Sequence, residues 1–585
     1  MNNSIARILR NSLWIGLFVA GTVSCTREIE SEAFLNGPYL QNVQQNSMTI
    51  MWETSEPGIG KVEYWNSTTE KQVVEESDPS TIHEIVLSDL ATETEYWYRI
   101  LTDEGASRRY RFQTAVREET PFAFAVYGDN RNGPLNHKRI TDIIASKEPN
   151  FVIHGGDLVN RGRVYVQWNK LFFGPAASMM SQIPLFPVLG NHEDHSEHYY
   201  NYFSLPGNEQ WYSFDFGNTH FVFLDSDDDF LEEGDQMEWL IEDLEKNTAE
   251  WTIAIFHHPP FTSGGNYYRP DRIYRKNLLH PIMEKYGVDI VFNGHDHHYE
   301  RIKPVKTRKG DQAVTYVVAG NGGIPMRFSR TLEWTASIGR IFGFVQVSVN
   351  GSKLTYQAIN IDDEVFDELT LDKSDPEMMA EYYAGAIIFE DIVDKLDVSR
   401  LEREADNLMD DGMYVEAIAI ARKAVALDPS CVEAWAIMAI SSFEAGEYEE
   451  AKAAAERAIS VLPAHPDAYE VLAEYYVQKG DFPAALEYCE QLVQVEPDKP
   501  GGYEEMADVW LAKGDTMQAI GALESALEVL PSESDIYFEI AGLYERTGSP
   551  GKAFDAYQNG LYWFTEEFEN DDVETARKYI AEHQK

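Results

Sequence analysis

The stretch VDIVFNGHDH at residues 288–297 is a short, mainly apolar run followed by potential metal ligands. A run of this length that ends at a glycine is typical of a buried strand in an α/β sheet. His295 and His297 come directly after that strand. Because open α/β sheets bind ligands beyond the carboxyl ends of their strands, the stretch predicts both an α/β fold and the edge at which a site forms.

Four further stretches repeat this order of a strand followed by a metal-binding residue. Several of the polar residues follow a glycine, which permits a tight turn and a close approach of the backbone. We therefore expect an α/β domain at residues 120–372 whose five strands bring their polar ends to one edge. The four stretches are FAFAVYGD at 122–129, FVIHGGD at 151–157, LFPVLGNHE at 185–193 and WTIAIFHH at 251–258.

The polar residues at these strand ends combine carboxylate and amide oxygens with imidazole nitrogens. Such a mixed donor set suits Zn²⁺, Mn²⁺ or iron. It holds too many donors for one tetrahedral ion, and enough for two ions that share a carboxylate. Two ions roughly 3.5–4 Å apart stabilise the attacking and leaving oxygens of a phosphoryl displacement, so the set predicts phosphoryl-transfer chemistry.

Together the five motifs resemble those of the calcineurin-like metallophosphoesterases. The longer tail GHDHHYER at residues 294–301 is similar to that of purple acid phosphatases, which also carry a fibronectin-like N-terminal domain. The resemblance covers residues 35–370 and implies a core of two stacked sheets flanked by helices. It also implies an acid-phosphatase-like enzyme that hydrolyses phosphomonoesters or phosphodiesters with a dinuclear metal centre and a metal-bound hydroxide.

The resemblance assigns a role to each polar residue of the motifs. Asp157 is expected to bridge the two ions, whose identity as Zn, Mn or Fe it leaves open. His192 is expected to lie beside the ions and donate to the phosphate or the leaving oxygen. The family pattern His-x-Pro favours His257, followed by Pro259, over the adjacent His258 as a ligand. The remaining expected ligands are Asp129 and His297 for the first ion, and Asn191, His257 and His295 for the second.

Two positions depart from the family pattern. Most members have a histidine where this chain has Arg131, and purple acid phosphatases have a tyrosine where it has Asn160. The iron–tyrosinate colour of that family should therefore be absent. We expect the first ion to be weakly held, or to be completed by water, Asn160 or His137. The Arg131 guanidinium suits a phosphate ligand, with a surface or salt-bridged arginine as the alternative.

Residues 35–115 have the pattern of an all-β domain. Short alternating runs such as MTIMW at 48–52 and TEYWYRI at 94–100 are separated by turn residues. The stretch LATETEY at 90–96 is similar to the tyrosine corner of fibronectin type III sandwiches. We interpret this domain as a spacer that positions the α/β domain, because a fold by itself carries no function.

The C-terminal part repeats with a period of 34 residues, after a linker at residues 373–399. A helix–turn–helix unit of this length resembles the tetratricopeptide repeat. Glycine ends the first helix of each unit, alanine permits close packing, and proline stops the second helix. We therefore predict an all-α solenoid at residues 400–585. The residues in register include Pro429, Pro463, Pro497 and Pro531, and Gly412, Gly446, Gly480, Gly514 and Gly548.

Residues 1–24 have the pattern of an export signal. Arg7 and Arg10 precede an apolar run at 13–21 that is too short to span a membrane. The run ends at TVSC, residues 22–25, which resembles a bacterial lipobox with Thr22 in place of the usual leucine. The prediction is a lipoprotein acylated at Cys25 and anchored in the membrane, periplasmic or at the cell surface. The alternative is a simple secretory signal cleaved nearby.

The net charge of −50, from 98 acidic and 48 basic residues, argues against nucleic-acid binding because it repels phosphates. Residues 401–585 hold 39 acidic and 13 basic side chains, a net charge of −26. Solenoids present an extended concave surface, so we expect the repeats to bind a protein or peptide that is basic or extended. The alternative is that the charge only keeps the solenoid soluble.

Two classes of function remain open from the sequence. One is an enzyme that hydrolyses phosphate esters. The other is a degenerate phosphoesterase that serves as a binding scaffold. The loop SGGNYYR at residues 263–269 follows the fourth motif, and its Tyr268 and Arg269 are candidate substrate contacts or plain loop residues.

Overall fold

A computed structural model describes residues 34–102, 105–227, 234–264, 270–310, 312–326, 331–392, 396–497, 499–564 and 571–583. Within them the order is a β domain, an α/β domain and a helical solenoid, which confirms the predicted fold class. The export signal with Cys25, and the loop residues Tyr268 and Arg269, lie outside the described residues. No helix in the described part of the chain is both long and apolar enough to cross a bilayer.

The N-terminal domain contains two antiparallel sheets. Its strands are β1 Asn36–Gln41, β2 Met48–Gly58, β3 Lys61–Trp65, β4 Gln72–Glu75, β5 Ser80–Leu87, β6 Glu95–Thr102, β7 Gly105–Ala106 and β8 Tyr110–Gln113. One sheet has the order β1-β2-β5, and the other has the order β4-β3-β6-β7 with β8 paired to β6. Alternate residues of β3 are buried, as the period of a strand requires for a domain with one internal core.

The β domain also packs directly against the α/β domain. The Tyr39 hydroxyl donates to the Tyr202 carbonyl at 2.8 Å, and the Tyr98 hydroxyl donates to the Ser181 carbonyl at 2.8 Å. The rings of Tyr39 and Phe173 lie 4.8 Å apart in the same core. The two domains therefore share buried apolar contacts.

The α/β domain is built on two mixed sheets. Its elements are β9 Phe122–Tyr127, α1 Pro134–Lys147, β10 Phe151–His154, α2 Tyr165–Gln167, a π-helical turn Trp168–Phe173, α3 Gly174–Met180, β11 Leu185–Pro187, α4 Glu197–Tyr202, β12 Tyr212–Phe216, β13 Thr219–Phe223, α5 Asp235–Lys246, β14 Trp251–Ile255, α6 Pro270–Lys285, β15 Ile290–Asn293, β16 Tyr299–Ile302, β17 Val305–Lys306, β18 Thr315–Ala319, β19 Thr335–Gly339, β20 Gly343–Asn350, β21 Lys353–Asn360 and β22 Val365–Asp372. The sheet orders are β11-β10-β9-β20-β21-β22 and β12-β13-β14-β15-β18-β16-β19.

Buried aromatic rings join the inner faces of the two sheets. Phe124 and Phe151 of the first sheet make edge-to-face contacts with Phe221 of the second, at ring-centroid distances of 5.1 and 5.2 Å. Edge-to-face pairs of this kind add to the free energy gained by burying the rings. Leu240 of α5 and Leu279 of α6 pack on the outer side of the second sheet. The arrangement is the predicted pair of stacked sheets flanked by helices.

Strand register brings the motif residues to one edge. Strands β9, β10 and β11 are parallel, with His154 opposite both Tyr127 and Pro187, so the loops that follow them start side by side. In the second sheet β14 and β15 are parallel, with Ile255 opposite Phe292. All five motif loops therefore leave the sheets at their carboxyl ends, as the sequence predicts.

The chain after β22 continues through α7 Pro376–Ala384, β23 Ile387–Ile388 and α8 Phe389–Ile392. Strand β23 pairs in parallel with β17, so the segment predicted as a linker contributes to the α/β domain. The solenoid helices are α9 Leu396–Asp410, α10 Tyr414–Leu427, α11 Val432–Glu444, α12 Tyr448–Val461, α13 Pro466–Gln478, α14 Phe482–Val495, α15 Gly501–Lys513, α16 Thr516–Val529, α17 Ser534–Arg546, α18 Pro550–Trp563 and α19 Asp571–His583.

The solenoid contacts the α/β domain at three points in the described residues. The Ser532 hydroxyl donates to the Asn132 carbonyl at 3.2 Å, and Arg340 donates to the Val495 carbonyl at 2.7 Å. The third contact is from the Lys170 ammonium to the Tyr562 carbonyl. Asn132 follows Arg131 in the chain, so one of these contacts lies next to a motif loop.

Candidate metal centre

Asp129 and Asp157 both lie directly beyond parallel strands of the first sheet, and both side chains are buried. Their backbone φ angles are 58° and 59°, in the left-handed region that residues with a Cβ seldom adopt. Strained backbone of this kind persists where the surrounding structure fixes it, and it clusters at functional sites. The two carboxylates are thus held at the sheet edge by the main chain.

The predicted ligands of the second ion converge on one another. His257 Nε2 lies 3.3 Å from Asp157 Oδ1 and 3.3 Å from His295 Nδ1. His295 Nδ1 in turn lies 3.0 Å from Asn191 Oδ1. Ligands that each bind one ion at about 2.0–2.2 Å are separated by distances of this size. The four side chains therefore come together as the sequence predicts.

The hydrogen bond of His257 fixes which ring nitrogen faces this cluster. The His257 Nδ1–H donates a hydrogen bond to the Gly155 carbonyl, at 2.7 Å. That bond directs Nε2, which offers a lone pair once the ring has lost its second proton, toward Asp157 and His295. Metal-binding histidines characteristically hold their second nitrogen this way. The donor chemistry of the cluster thus fits a bound cation.

His258, the alternative to His257, lies beside the same cluster. Ligand atoms of His257, His258 and His295 all fall within 4.8 Å of one another. His258 Nδ1, however, lies 3.0 Å from the Ser226 hydroxyl, and only His257 of the two is paired with Asp157. The geometry therefore favours His257 as the ligand that also meets the shared carboxylate.

The predicted ligands of the first ion come together less fully than those of the second. Asp129 Oδ2 accepts a hydrogen bond from the His295 backbone N–H at 2.8 Å. Its other oxygen, Oδ1, is buried without a hydrogen-bond partner among the described residues and lies 3.7 Å from His297 Nε2. Asp157 Oδ2, the third expected donor, is engaged by Arg131.

Arg131 lies buried among these first-ion donors. Its Nε donates to Asp157 Oδ2 at 3.0 Å, and its Nη1 donates to Asn160 Oδ1 at 2.9 Å. Its Nη2 lies 3.5 Å from His297 Nε2. The two positions that depart from the family pattern, Arg131 and Asn160, therefore contact each other. Arg131 is an internal, salt-bridged arginine and not a surface one.

His137 and Asn160, two of the groups expected to complete the first ion, make other contacts in the structure. Both ring nitrogens of His137 are engaged elsewhere, with the Tyr127 hydroxyl at 3.0 Å and the Leu171 carbonyl at 3.0 Å. Asn160 Oδ1 accepts from Arg131 instead. Burial of the His137 ring lowers its pKa to about 4, as expected for a neutral core histidine.

His192 lies at the accessible side of the described centre, with 28% of its side chain exposed. Its Nδ1 lies 2.7 Å from the Asn160 carbonyl, and its Nε2 lies 3.9 Å from Asp157 Oδ2. Partial burial lowers the pKa of the ring below its usual value. The position at the rim fits a group that meets substrate.

Burial and neighbouring charges shift the pKa values of the two carboxylates in opposite directions. Burial raises the pKa of Asp129 to about 7, with the Asp157 charge adding to the effect. Burial also acts to raise the pKa of Asp157, but His257 and Arg131 hold it well below its usual value. The His257 ring is buried as well, yet the Asp157 carboxylate raises its pKa to about 9. Asp157 is therefore the fixed negative charge on which the centre is built.

Glu193 is a positioning residue that the sequence analysis missed. Its fully buried carboxylate accepts four backbone N–H groups, from Asp157 and Gly190 at Oε2 and from Leu158 and Val159 at Oε1. The distances range from 2.8 to 3.3 Å. It thus ties the loop of Asp157 to the loop of Asn191 and His192. The available signal was a charged residue placed directly after the GNH motif.

Comparison with known proteins identifies three matching families. The model described as calcineurin-like phosphoesterase matches residues 112–299. The model described as the purple acid phosphatase N-terminal domain matches residues 36–114. The tetratricopeptide repeat model matches residues 403–451, 438–502 and 505–572.

Similar curated proteins are acid phosphatases. Acid phosphatase type 7 of Mus musculus is 26% identical over 335 residues, which cover 48% of this chain and 74% of the relative. Purple acid phosphatase 15 of Arabidopsis thaliana is 34% identical over 163 residues, covering 25% of this chain and 30% of the relative. The solved purple acid phosphatase from yellow lupin seeds superposes with a TM-score of 0.50 at 20% identity, covering 58% of this chain and 74% of that one.

Proposed function

We propose that this protein, a purple acid phosphatase-like metallophosphoesterase, hydrolyses phosphomonoesters or phosphodiesters at the centre described above. The observation that carries the proposal is the convergence of Asp157, Asn191, His257 and His295 on one another at 3.0–3.3 Å. A Zn, Mn or Fe ion bound there supplies Lewis-acid activation of water and of the phosphoryl oxygen.

The chain's own residues orient these groups. The Gly155 carbonyl fixes the His257 ring, and Glu193 fixes the backbone of Asp157. His192 stands at the accessible side of the centre with Nδ1 on the Asn160 carbonyl. A phosphate close to Nε2 raises the pKa of the ring, so bound substrate favours the protonated imidazole, which can donate a proton to the leaving oxygen.

The test compares the wild type with Asp157→Asn on p-nitrophenyl phosphate and its bis-ester, with metal content measured in parallel. We expect Asp157→Asn to lose bound metal and at least about 100-fold in kcat/KM, because the carboxylate is the charged ligand of the centre. Asp142→Asn is the control, since Asp142 is exposed on α1 and pairs only with Lys138 among the described contacts.

An active Asp157→Asn protein would contradict the proposal. If the wild type holds no metal and shows no turnover with added Mn²⁺ or Zn²⁺, the chain is the degenerate scaffold that the sequence left as an alternative. Loss of activity in Asp142→Asn would show that the assay responds to folding and not to the centre.

We also propose that the protein is exported and anchored by a lipid on Cys25, at the periplasmic or outer surface of a membrane. The support is the order of positive, apolar and small residues before that cysteine. The wild type should then sediment with membranes, whereas Cys25→Ala should be soluble or uncleaved. A soluble wild type without lipid would contradict the anchor.

We further propose that the solenoid binds a basic or extended protein segment. The support is its net charge of −26 and its acidic helices, in which the charge of Glu505 adds to the raised pKa of Glu470, and the charges of Glu474 and Glu504 add to that of Glu505. A partner held by charge should bind less tightly as salt exceeds about 0.15 M, where the Debye length falls to about 8 Å. Salt-independent binding would contradict the role of charge.

A further inference from the structure

The first-ion position differs chemically from the second-ion position. At the second, two imidazole nitrogens, a carboxylate oxygen and an amide oxygen face one another with no cation between them among the described side chains. At the first, the described donors are Asp129 Oδ1, Asp157 Oδ2 and His297 Nε2, and a guanidinium contacts two of these three.

The guanidinium of Arg131 is held firmly in that position. It is buried and makes directed contacts to Asp157 and to Asn160 at 3.0 and 2.9 Å. The guanidinium of an arginine keeps its positive charge in proteins. The positive charge beside Asp157 and His297 is therefore permanent. It cannot be removed by losing a proton in the way that a lysine or a histidine can.

A divalent ion at this point would meet that charge at close range. Like charges a few ångströms apart in a water-poor interior repel strongly, and an ion at Asp157 Oδ2 would have to share that oxygen with the Arg131 Nε–H. The Arg131 hydrogen bond already satisfies the oxygen that a bridging carboxylate would present to a second ion. The residues present thus fit one ion and not two.

Asp129 has a structural role that does not depend on an ion. Its Oδ2 accepts from the backbone N–H of His295, a ligand of the second position, at 2.8 Å. Gly294, the residue before His295, approaches the same carboxylate so closely that an added Cβ would lie 2.5 Å from Asp129 Oδ2. Asp129 therefore fixes the loop that carries His295.

We propose that the Arg131 guanidinium takes the place of the first ion, so that the centre holds a single metal ion bound by Asp157, Asn191, His257 and His295. This inference rests on the proposed function. Arginine carries five N–H donors, and the three contacts above use one on each of its nitrogens. The two remaining N–H groups can donate to the phosphate oxygens that a first ion would otherwise contact.

The experiment measures metal per chain in the purified full-length protein, by mass spectrometry after loading with excess Mn²⁺ and gel filtration. We expect about one ion per chain for the wild type and about two for Arg131→His, which replaces the cation with a ligand. Electron paramagnetic resonance gives an independent readout. Only the variant should show the exchange-coupled signal of two neighbouring Mn²⁺ ions.

Two further variants separate charge from folding. Arg131→Lys keeps a positive charge and should stay at about one ion per chain. Arg163→His is the matched control, because the Arg163 guanidinium is exposed and pairs with Asp194 at 2.8 Å. Arg163→His should also hold about one ion per chain. Circular dichroism of every variant confirms that the fold is retained, and Arg131→Gln replaces Arg131→His if the latter does not fold.

The outcomes are distinguishable. Two coupled ions in the wild type would overturn the inference and leave the proposed function intact. One ion in the wild type and still only one in Arg131→His or Arg131→Gln would show that Arg131 is not what excludes the second. No ion in the wild type would overturn the proposed function itself.

Discussion

Glu193 shows how much of the centre depends on one side chain that touches no substrate. Its two carboxylate oxygens each accept two backbone N–H groups, and all four donors belong to loops that carry predicted metal ligands. A buried carboxylate is costly unless its oxygens are fully hydrogen bonded. Here burial and the Asp157 charge raise the pKa of Glu193 to about 8, and the hydrogen bonds reduce that cost in part while they set the distance between the two loops.

We predict that Glu193→Gln lowers the free energy of unfolding by about 2–4 kcal/mol and weakens metal binding. The amide of the substituted side chain would point an N–H₂ group at two backbone N–H groups, so two donors lose their acceptor. Denaturant unfolding and metal titration check both effects. Glu197→Gln, at an exposed position on α4, should change neither.

Normal stability together with normal metal affinity in Glu193→Gln would contradict the positioning role. Reduced stability with unchanged metal affinity would limit that role to the fold alone.

At the scale of elements, the centre forms because glycines let strand-end loops come into contact. An added Cβ on Gly190 would lie 2.4 Å from Asp157 Oδ1, and one on Gly294 would lie 2.6 Å from the Gly155 carbonyl. Distances under about 3 Å are not tolerated between such atoms, so a larger residue would push the loops apart. The glycines that precede the ligands are thus needed for the approach of neighbouring loops, as well as for the turns themselves.

The repeats also depend on glycine, there for its backbone conformation. The glycines of the 34-residue period adopt positive φ angles of 70–87° and end the first helix of each unit. The aromatic residue in register donates back to the proline carbonyl six residues earlier, from Trp435, Tyr469 and Tyr537 at 3.0, 2.7 and 3.2 Å. This bond joins the turn to the next helix and explains why an aromatic side chain with a polar tip recurs there.

At the scale of the whole molecule, the solenoid is not separate from the α/β domain. Ser532 bonds the Asn132 carbonyl, next to Arg131, and Arg340 bonds the Val495 carbonyl. The sequence indicates a modular division between catalysis and binding, because no repeat residue is an expected ligand. The contacts show that loops of the repeats nonetheless reach the rim of the α/β domain.

The acidic solenoid should become more stable as the pH falls. Burial raises the pKa of Glu470 to about 8, with Asp467 adding to the effect, and burial with Glu474 raises the pKa of Glu505 to about 7. In the unfolded chain both carboxyls have ordinary pKa values and are ionised throughout this range. The folded state takes up protons as the pH falls from about 9 to about 6, so stability rises there and is lost as the pH rises again.

We expect a gain of about 1–2 kcal/mol between pH 8.5 and pH 6, reduced from the full linkage value because both side chains are partly solvated. Hydrogen exchange in α13 and α15 of the full-length protein measures the local unfolding free energy at the two pH values. The double variant Glu470→Gln/Glu505→Gln should flatten the dependence. An equal slope in the variant and the wild type would assign the effect to other groups.

Much of this architecture can be predicted from the sequence because its signals are local. Each motif is a short apolar strand, often a glycine, and then a donor. Parallel pairing alone brings such strand ends to one edge. The 34-residue period likewise specifies the solenoid, since each repeat contacts mainly its neighbours. For this reason the sequence alone predicts the ligands of the second ion.

The tertiary structure decided what depends on segments that are far apart in the chain. Arg131 and Asn160 are separate departures in the sequence, but folding places them in contact and sets the guanidinium against Asp157 and His297. Sequence spacing likewise gives no distance between Ser532 and Asn132, which are 400 residues apart. The sequence by itself determined which donors are present at the sheet edge. Only packing determined which of them face one another and which face a buried arginine, because that depends on side-chain geometry across loops that no local pattern encodes.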